Sequence, residues 1–346
     1  MTILVSLLVA CSGSGAVDGA LHGGMPSGDE RDDCIQANAV ETQWMPSFDA
    51  ESEGAFLSVW GPSANQLWAV GGPDMTKGVA WHFNGSTWKN ANLRDGPLLN
   101  WVHGVDDVVW MVGNQGRILR RQGDGDFEPV DADETEHLWG VWAASADEAW
   151  AVGGDPLGDG EPDPVILHWK DERWTRVKPP RTEQKFRALF KVWGTSATNV
   201  FAVGAKGVIL HFDGQQWRQQ SSGTARDFIS LWGRSPSDIM AVGGRANGVV
   251  ARYDGKTWKA EVLSGEPGLN GVWMNSAGEA TVVGARGRIL HFRPNCQRYR
   301  RETSDNRRLL HAVFGLEGMR RLAVGGTLDR NPPWQGVAIQ GDYRRP

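Results

Sequence analysis

The sequence has no apolar stretch long enough to cross a bilayer as a helix, which takes roughly 20 consecutive residues. It also lacks the excess of positive charge that a nucleic-acid-binding surface needs, since its formal net charge is −5. Tyrosine is scarce, with 3 residues against 18 tryptophans. These absences argue against a membrane-spanning protein and against a nucleic-acid partner, and the aromatic imbalance makes the placement of the tryptophans informative.

One segment recurs along almost the whole chain and is best preserved in residues 189–217, LFKVWGTSATNVFAVGAKGVILHFDGQQW. It reads as four short strands, with Asp213-Gly214 as a hairpin signal before the fourth. The glycine that ends the second strand marks each copy: Gly71, Gly113, Gly153, Gly204, Gly243, Gly284 and Gly325. The steps between these glycines are 42, 40, 51, 39, 41 and 41 residues. Seven four-stranded copies of about 40 residues predict an all-β, seven-bladed β-propeller of antiparallel blades.

Most tryptophans occupy fixed positions of this repeat. At the end of the first strand they are Trp60, Trp142, Trp193, Trp232 and Trp273. We expect these large side chains to pack between adjacent blades. His103 takes the same position in the second copy, where a packing role is also expected.

The ring is predicted to be closed by a strand from the N-terminal side of the propeller. Residues 41–45 resemble an isolated fourth strand, with Trp44 in the position that Trp88 has in the first copy, whereas the seventh copy stops soon after its third strand. The segments also have opposite charge, with nine acids and one Arg in residues 12–54 and eleven Arg and five acids from residue 293 onward. Pairing the N-terminal strand with the last blade would remove an exposed sheet edge.

The sequence divides into three parts, with the propeller as a single domain in residues 41–346. Residues 1–11 have the apolar character of a secretion signal, and Leu8-Val9-Ala10-Cys11 resembles a bacterial lipobox. That resemblance implies acylation of Cys11 and a place in the bacterial cell envelope, as an outer-membrane lipoprotein facing the periplasm or the surface. Residues 12–40 are rich in Gly, Ser, Asp and Ala and are predicted to be a flexible acidic tether.

Two cysteines remain if Cys11 carries lipid. Cys34 precedes the N-terminal strand, and Cys296 falls in the turn between the third and fourth strands of copy six. Because disulfides persist in the oxidising compartment to which an exported protein goes, a Cys34–Cys296 bond is one interpretation. Two free thiols are the other.

Short motifs in the repeat resemble those of known propeller families. The Gly-x-Thr-Trp turns at Gly85 and Gly255 look like the second half of the Asp-box (BNR) of sialidase-like propellers, and the double glycine after the second strand is similar to kelch repeats. The pattern Val-Trp-Gly-x-Ser followed by Trp-Ala-Val-Gly-Gly resembles the propeller lipoproteins of myxobacteria over residues 55–343. This resemblance implies the propeller fold and an envelope location, without an established activity.

The 51-residue step contains an acidic insertion between the second and third strands of copy three. Its four acids are Asp155, Asp159, Glu161 and Asp163. Carboxylates grouped in this way are possible ligands of a hard cation such as Ca²⁺, but their spacing matches no standard calcium loop, so a solvated loop is the alternative. No other cofactor is predicted.

A second long loop occurs on the same side of the propeller in copy seven. It contains Asp329, Arg330 and a tryptophan outside the repeat positions, Trp334. An exposed aromatic residue in a proline-rich loop is typical of contacts with protein or sugar. The links between blades are expected to present Arg94 and Asp95, or Lys185, on the same face. This face is the predicted binding surface.

Two functions remain open at this point. The first is a monomeric, non-catalytic binding or scaffold module for a protein or glycan of the cell envelope, with an assembly factor for a membrane complex as one variant. The alternative is a carbohydrate-active hydrolase that uses the same face, although no catalytic residue can be named. Carboxylates clustered in a deep axial pocket would favour the hydrolase.

Overall fold

The computed structural model describes residues 42–294, 296, 298–316 and 320–341. Within these residues 28 strands form seven sheets of four strands each, and helical geometry is limited to the two 3-10 turns Ala205–Gly207 and Ala285–Gly287. No helix in this part of the chain has the length and apolar character needed to cross a membrane. The predicted seven-bladed β-propeller is confirmed.

Each blade begins with its inner strand and continues outward through antiparallel neighbours. The first blade contains β2 (Ala55–Ser63), β3 (Gln66–Gly72), β4 (Val79–Phe83) and β5 (Trp88–Asn90). The second contains β6 (Leu99–Val105), β7 (Val108–Gly113), β8 (Ile118–Gln122) and β9 (Glu128–Pro129). The third contains β10 (Leu138–Ser145), β11 (Glu148–Gly153), β12 (Val165–Lys170) and β13 (Arg173–Arg176).

The fourth blade, which is the best-preserved copy of the repeat, contains β14 (Leu189–Ser196), β15 (Asn199–Gly204), β16 (Ile209–Phe212) and β17 (Trp217–Gln220). The fifth contains β18 (Phe228–Ser235), β19 (Asp238–Gly243), β20 (Gly248–Tyr253) and β21 (Trp258–Leu263). The sixth contains β22 (Leu269–Met274), β23 (Ala280–Gly284), β24 (Ile289–Phe292) and β25 (Tyr299–Glu302). The seventh contains β26 (Leu309–Phe314), β27 (Arg321–Gly326), β28 (Gly336–Gly341) and, as its outer strand, β1 (Trp44–Pro46).

The inner strands contact one another around the axis, and β26 meets β2 to complete the ring. Because each blade is covered on both faces by its neighbours, the second strands are apolar on both sides, and all six residues of β7 are buried. The tryptophans at the ends of the inner strands lie between blades, as predicted. Trp142, for example, packs on Gly194 of the next blade, where an added Cβ would lie 2.9 Å from the indole.

His103 packs between blades at this same level. Its ring lies 5.2 Å from the centroid of Trp60, and its Nδ1 accepts a hydrogen bond of 3.1 Å from the backbone N–H of Ala143 in the third blade. Burial lowers the pKa of His103 to about 3. The imidazole is therefore neutral at pH 7, as its acceptor role requires.

We expect His103 to make the stability of the propeller depend on acid. Its folded-state pKa of about 3 lies below the ordinary value of 6.5, so between these pH values the unfolded chain binds the additional proton. Stability contributed by neutral His103 is present above pH 6.5 and is lost as the pH falls, at up to about 1.4 kcal/mol per pH unit. Urea unfolding of wild type and His103→Phe at pH 7, 6, 5 and 4 measures this effect, and the free energy of unfolding should depend less steeply on pH in the variant. If the free energy of unfolding falls with pH equally in both proteins, His103 does not have this role.

The N-terminal strand closes the ring as the sequence predicts. β1 pairs antiparallel with β28, with Trp44 opposite Gly341. The oppositely charged segments also meet, because the Arg308 guanidinium lies 2.6 Å from the Glu51 carboxylate. The last blade is thus completed by residues almost 300 positions earlier in the chain.

A buried ion pair holds this closure. The Glu302 carboxylate accepts a 2.8 Å hydrogen bond from Trp44 Nε1 and lies 3.1 Å from the Arg321 guanidinium. Arg321 is 2% exposed and also donates to the Thr281 hydroxyl. Burial alone would raise the pKa of Glu302, but Arg321, His291 and the Trp44 hydrogen bond keep it below its ordinary value.

Candidate functional site

Every inner strand carries a β-bulge near its start. In β14, Leu189 pairs with Gly204 and Lys191 with Val203, so Phe190 is left without a partner. A bulge increases the local twist and redirects the side chain of the additional residue. In all seven blades the equivalent residue of the inner strand has no pairing partner on the second strand. These residues are Leu57, Asn100, Trp139, Phe190, Ile229, Asn270 and His311.

These seven bulge residues line a cavity of about 60 Å³ on the propeller axis, which we call the axial cavity. At roughly 10–15 Å³ for each water molecule, it has room for about four to six. The cavity lies at the face formed by the connections between second and third strands, here called the loop face: residues 73–78, 114–117, 154–164, 205–208, 244–247, 285–288 and 327–335. The rest of its wall is formed by Lys191, Gly244, Arg245, Gly268 and Ala285.

Lys191 places an ammonium group in this largely apolar wall. The residue is 4% exposed, and Nζ lies 2.7 Å from the centroid of the Trp101 ring, in a cation–π contact. Gly140, in the blade between them, leaves space for this contact, because an added Cβ would lie 3.1 Å from Lys191 Cα. Among the described residues, no hydrogen bond or ion pair involves Nζ. Desolvation lowers the pKa of Lys191 well below its ordinary value.

His311 is the titratable bulge residue of the cavity. Its Nδ1 donates a 2.7 Å hydrogen bond to the carbonyl of Leu57, across the junction of the last and first blades. Burial, followed by the positive charge of Lys191, lowers the pKa of His311 to about 4. The ring is neutral at pH 7, with Nε2 as an acceptor.

Two asparagines supply amide groups to the same wall. Asn100 is 2% exposed and donates through Nδ2 to Asn114 Oδ1 and to the carbonyl of Leu138, at 3.0 and 2.9 Å. Its Oδ1 has no hydrogen-bond partner within the part of the chain that the structure describes. Asn270 is 8% exposed. A buried acceptor without a partner is costly unless a water or a ligand supplies one.

Three basic residues lie on the loop face at the turns of blades four to six. Arg245 is neutralised by Asp227, whose carboxylate lies 2.6 Å from the guanidinium. Lys206 and Arg286 are exposed and occupy equivalent turns of blades four and six, with left-handed φ values of 57° and 58°. Neither side chain takes part in an ion pair within the described part of the chain. They are two exposed positive charges on the loop face.

The acidic insertion also lies on the loop face, as predicted, but its acids do not converge. Asp155 Oδ1 accepts a hydrogen bond from the backbone N–H of Leu157, and Asp159 is exposed. Glu161 pairs with Lys185 at 2.9 Å, and this hydrogen bond lowers the pKa of Glu161. Lys185, which the sequence places on the same face, thus contacts the insertion.

Asp163, the fourth acid, lies 2.7 Å from Arg176, which also pairs with Glu134. Burial, followed by the negative charges of Asp155, Glu134 and Asp163, raises the pKa of Glu136, so this side of the face has a negative potential. No group of three or more His, Cys, Asp or Glu that could hold a metal ion occurs in residues 42–294, 296, 298–316 and 320–341. Calcium binding stays a prediction.

The expectation of an exposed Trp334 is wrong. Its side chain is 3% exposed and packs in an apolar cluster with Leu57, Leu98 and Leu328, while its backbone N–H donates to Pro73 of the first blade. The Trp334 side chain can pack against the loop of the first blade because the seventh and first blades are neighbours in the ring. Asp329 and Arg330 of the same loop are exposed.

Of the predicted cysteine sites, the structure describes Cys296, which is disulfide-bonded. Cys11 and Cys34 lie outside the described residues, so lipidation and the identity of the disulfide partner stay predictions.

Solved structures similar to this chain are themselves propellers. One is YCF48 bound to a D1 peptide, with 13% identity, a TM-score of 0.63 and coverage of 88% of this chain and 97% of that one. The WD40 propeller domain of Doa1 has 9% identity, a TM-score of 0.68 and coverage of 88% and 98%. YCF48 from Cyanidioschyzon merolae has 13% identity, a TM-score of 0.62 and coverage of 86% and 98%. At these identities the likeness shows the fold alone. No protein-family model and no curated protein matches the sequence.

The sequence reasoning missed the axial cavity and Lys191. One signal was present, because the position of Lys191 in LFKVWG holds Ser, Gly or Ala in five of the other copies and Trp101 in the remaining one. A lysine in an otherwise apolar inner strand is unusual, because charged side chains are rarely buried. Such a residue indicates a role other than packing.

Proposed function

We propose that the protein is a non-catalytic binding module that engages a protein partner through the loop face, with the axial cavity at its centre. One observation carries this proposal: Lys191 is buried among aromatic and aliphatic walls, with no counter-ion from any described residue. A cation in this setting is a disadvantage for folding and an advantage for recognition. The similar fold of YCF48, which was solved bound to a D1 peptide, supports a peptide or protein partner over a glycan.

We further propose that the module is exported and held at the bacterial cell envelope by lipid on Cys11, with residues 12–40 as its tether. The lipobox resemblance and the apolar start of the chain support this location. A partner in or near the membrane, including a complex under assembly, would then lie within reach of the loop face.

The hydrolase alternative finds no support at the axial cavity. Glycoside hydrolysis ordinarily uses two carboxyl groups placed on either side of the scissile bond. None of the described residues that line the axial cavity is acidic.

Site-specific photo-crosslinking in the native cell tests the proposed function. A photoreactive amino acid at Arg286, on the loop face, should crosslink a discrete protein in the membrane fraction. The same group at Lys256, in the turn between β20 and β21 on the opposite face, is the matched control. Equal crosslinking from both positions, or none from Arg286, would contradict the proposal, and a Cys11→Ser variant that stays in the membrane fraction would contradict the anchor.

A further inference from the structure

We propose that the axial cavity binds the free carboxyl terminus of a peptide, with the carboxylate against Lys191 and an apolar last side chain against Leu57, Phe190 and Ile229. This inference rests on the proposed function and names the chemical class of its ligand.

The first argument is the missing counter-ion. An ammonium group has three N–H donors, and the face of the Trp101 ring provides one favourable contact. A buried charge without a hydrogen-bonded partner is expensive, and a carboxylate is the group that satisfies it with short, charge-assisted hydrogen bonds. The neighbouring His311 is neutral and Arg245 is already paired with Asp227, so neither competes for the anion.

The second argument is the pattern of polar groups around the ammonium. A peptide terminus carries a backbone N–H next to its carboxylate, and that donor needs an acceptor when it leaves water. Asn100 Oδ1 is a buried acceptor without a partner among the described residues, and Asn100 lines the same cavity as Lys191. The amide of Asn270 completes a set that can both donate and accept.

The third argument is size and shape. A cavity of about 60 Å³ can admit the end of a chain, whereas a continuous segment would have to enter and leave. Leu57 and Phe190 are 2% and 5% exposed and give the wall beside Lys191 an apolar surface. Lys206 and Arg286 lie on the loop face that a negatively charged chain end would approach, where they would raise its association rate.

Two pools of randomised hexapeptides test the proposal. One pool has free carboxyl termini and the other has carboxamide termini, and each is passed over the immobilised full-length protein with mass spectrometry of the retained peptides. We expect at least tenfold more retention of the free-acid pool, with Leu, Ile, Val or Met enriched at the last position. Equal retention of the two pools would overturn the inference.

Matched variants locate the effect. Lys191→Met should abolish the preference for free acids, whereas Lys206→Met, which removes an exposed lysine near the cavity, should keep the preference. Asn270→Asp provides a second, nearly isosteric test, because a carboxylate in the wall would neutralise Lys191 and repel the ligand. A preference that survives both Lys191→Met and Asn270→Asp would place the carboxylate elsewhere and refute the inference.

Competition separates the possible sources of the carboxylate. Isovalerate and isovaleramide are added to the free-acid pool, and peptide recognition predicts weak competition by isovalerate and none by the amide. If isovalerate competes as strongly as a selected peptide, the ligand is a small carboxylic acid, and the peptide assignment is wrong. If neither pool is retained while Arg286 still crosslinks a protein, the proposed function survives and the carboxyl-terminus inference fails.

Discussion

Replacement of Glu302 by alanine is expected to lower the free energy of unfolding by about 3 to 5 kcal/mol, because it removes one member of a buried ion pair. Arg321 is 2% exposed and would lose its carboxylate, while Trp44 Nε1 would lose its acceptor. Both contacts join β25 of the sixth blade to the last blade, the ion pair to β27 and the hydrogen bond to β1. The urea midpoint at pH 7 measures the effect.

A double replacement separates the ion pair from the space that it fills. In Glu302→Leu combined with Arg321→Met, neither charge remains, and apolar groups of similar volume take their places. Buried ion pairs replaced in this way usually leave stability unchanged or increase it, so the double variant should recover most of the loss. If Glu302→Ala unfolds at the wild-type midpoint, the pair does not hold the ring closed. If the double variant is as unstable as the single one, the hydrogen bond to Trp44 is the dominant interaction.

Ring closure also shows what the sequence could predict. The spacing of the glycines predicts the number of blades because the repeat is a local sequence pattern that occurs once in each blade. The isolated strand around Trp44 and the opposite charges of the two segments predict which ends meet, and the pair Glu51–Arg308 confirms it. Glu302 and Arg321, which hold the closure, are far apart from Trp44 in sequence and carry no local signal.

The site was harder to predict because it depends on contacts between loops and between blades. Trp334 was expected at the surface, since a tryptophan in a proline-rich loop has no local partner. It is buried by the first-blade loop, to whose Pro73 it donates a hydrogen bond. Phe190 similarly reads as one more apolar strand residue. Only the register shift of β14 shows that its side chain lines the axis.

Replacement of Lys191 by methionine is expected to raise the free energy of unfolding by about 1 to 4 kcal/mol, the order found when apolar residues replace buried ion pairs, because it removes a charge that burial disfavours. Methionine is similar in length, and its thioether can keep contact with the Trp101 ring. Nζ has no ion-pair partner among the described residues whose loss would offset this gain. Urea unfolding of the purified full-length protein at pH 7 measures the change.

The pH dependence adds a second measurement for the same variant. Burial puts the folded-state pKa of Lys191 below that of the unfolded chain, so the unfolded state binds more protons in the window between the two values. The free energy of unfolding of the wild type should therefore increase as the pH rises through that window, because Lys191 loses its proton in the folded state first. Lys191→Met should lack this increase, so the free energies of unfolding of the two proteins should converge toward alkaline pH. If the variant is instead less stable than wild type at pH 7, the cation–π contact with Trp101 is a structural support, and Lys191 is explained by packing. A more stable variant would mean that folding is better served without the lysine, which is the pattern expected of a residue retained for recognition.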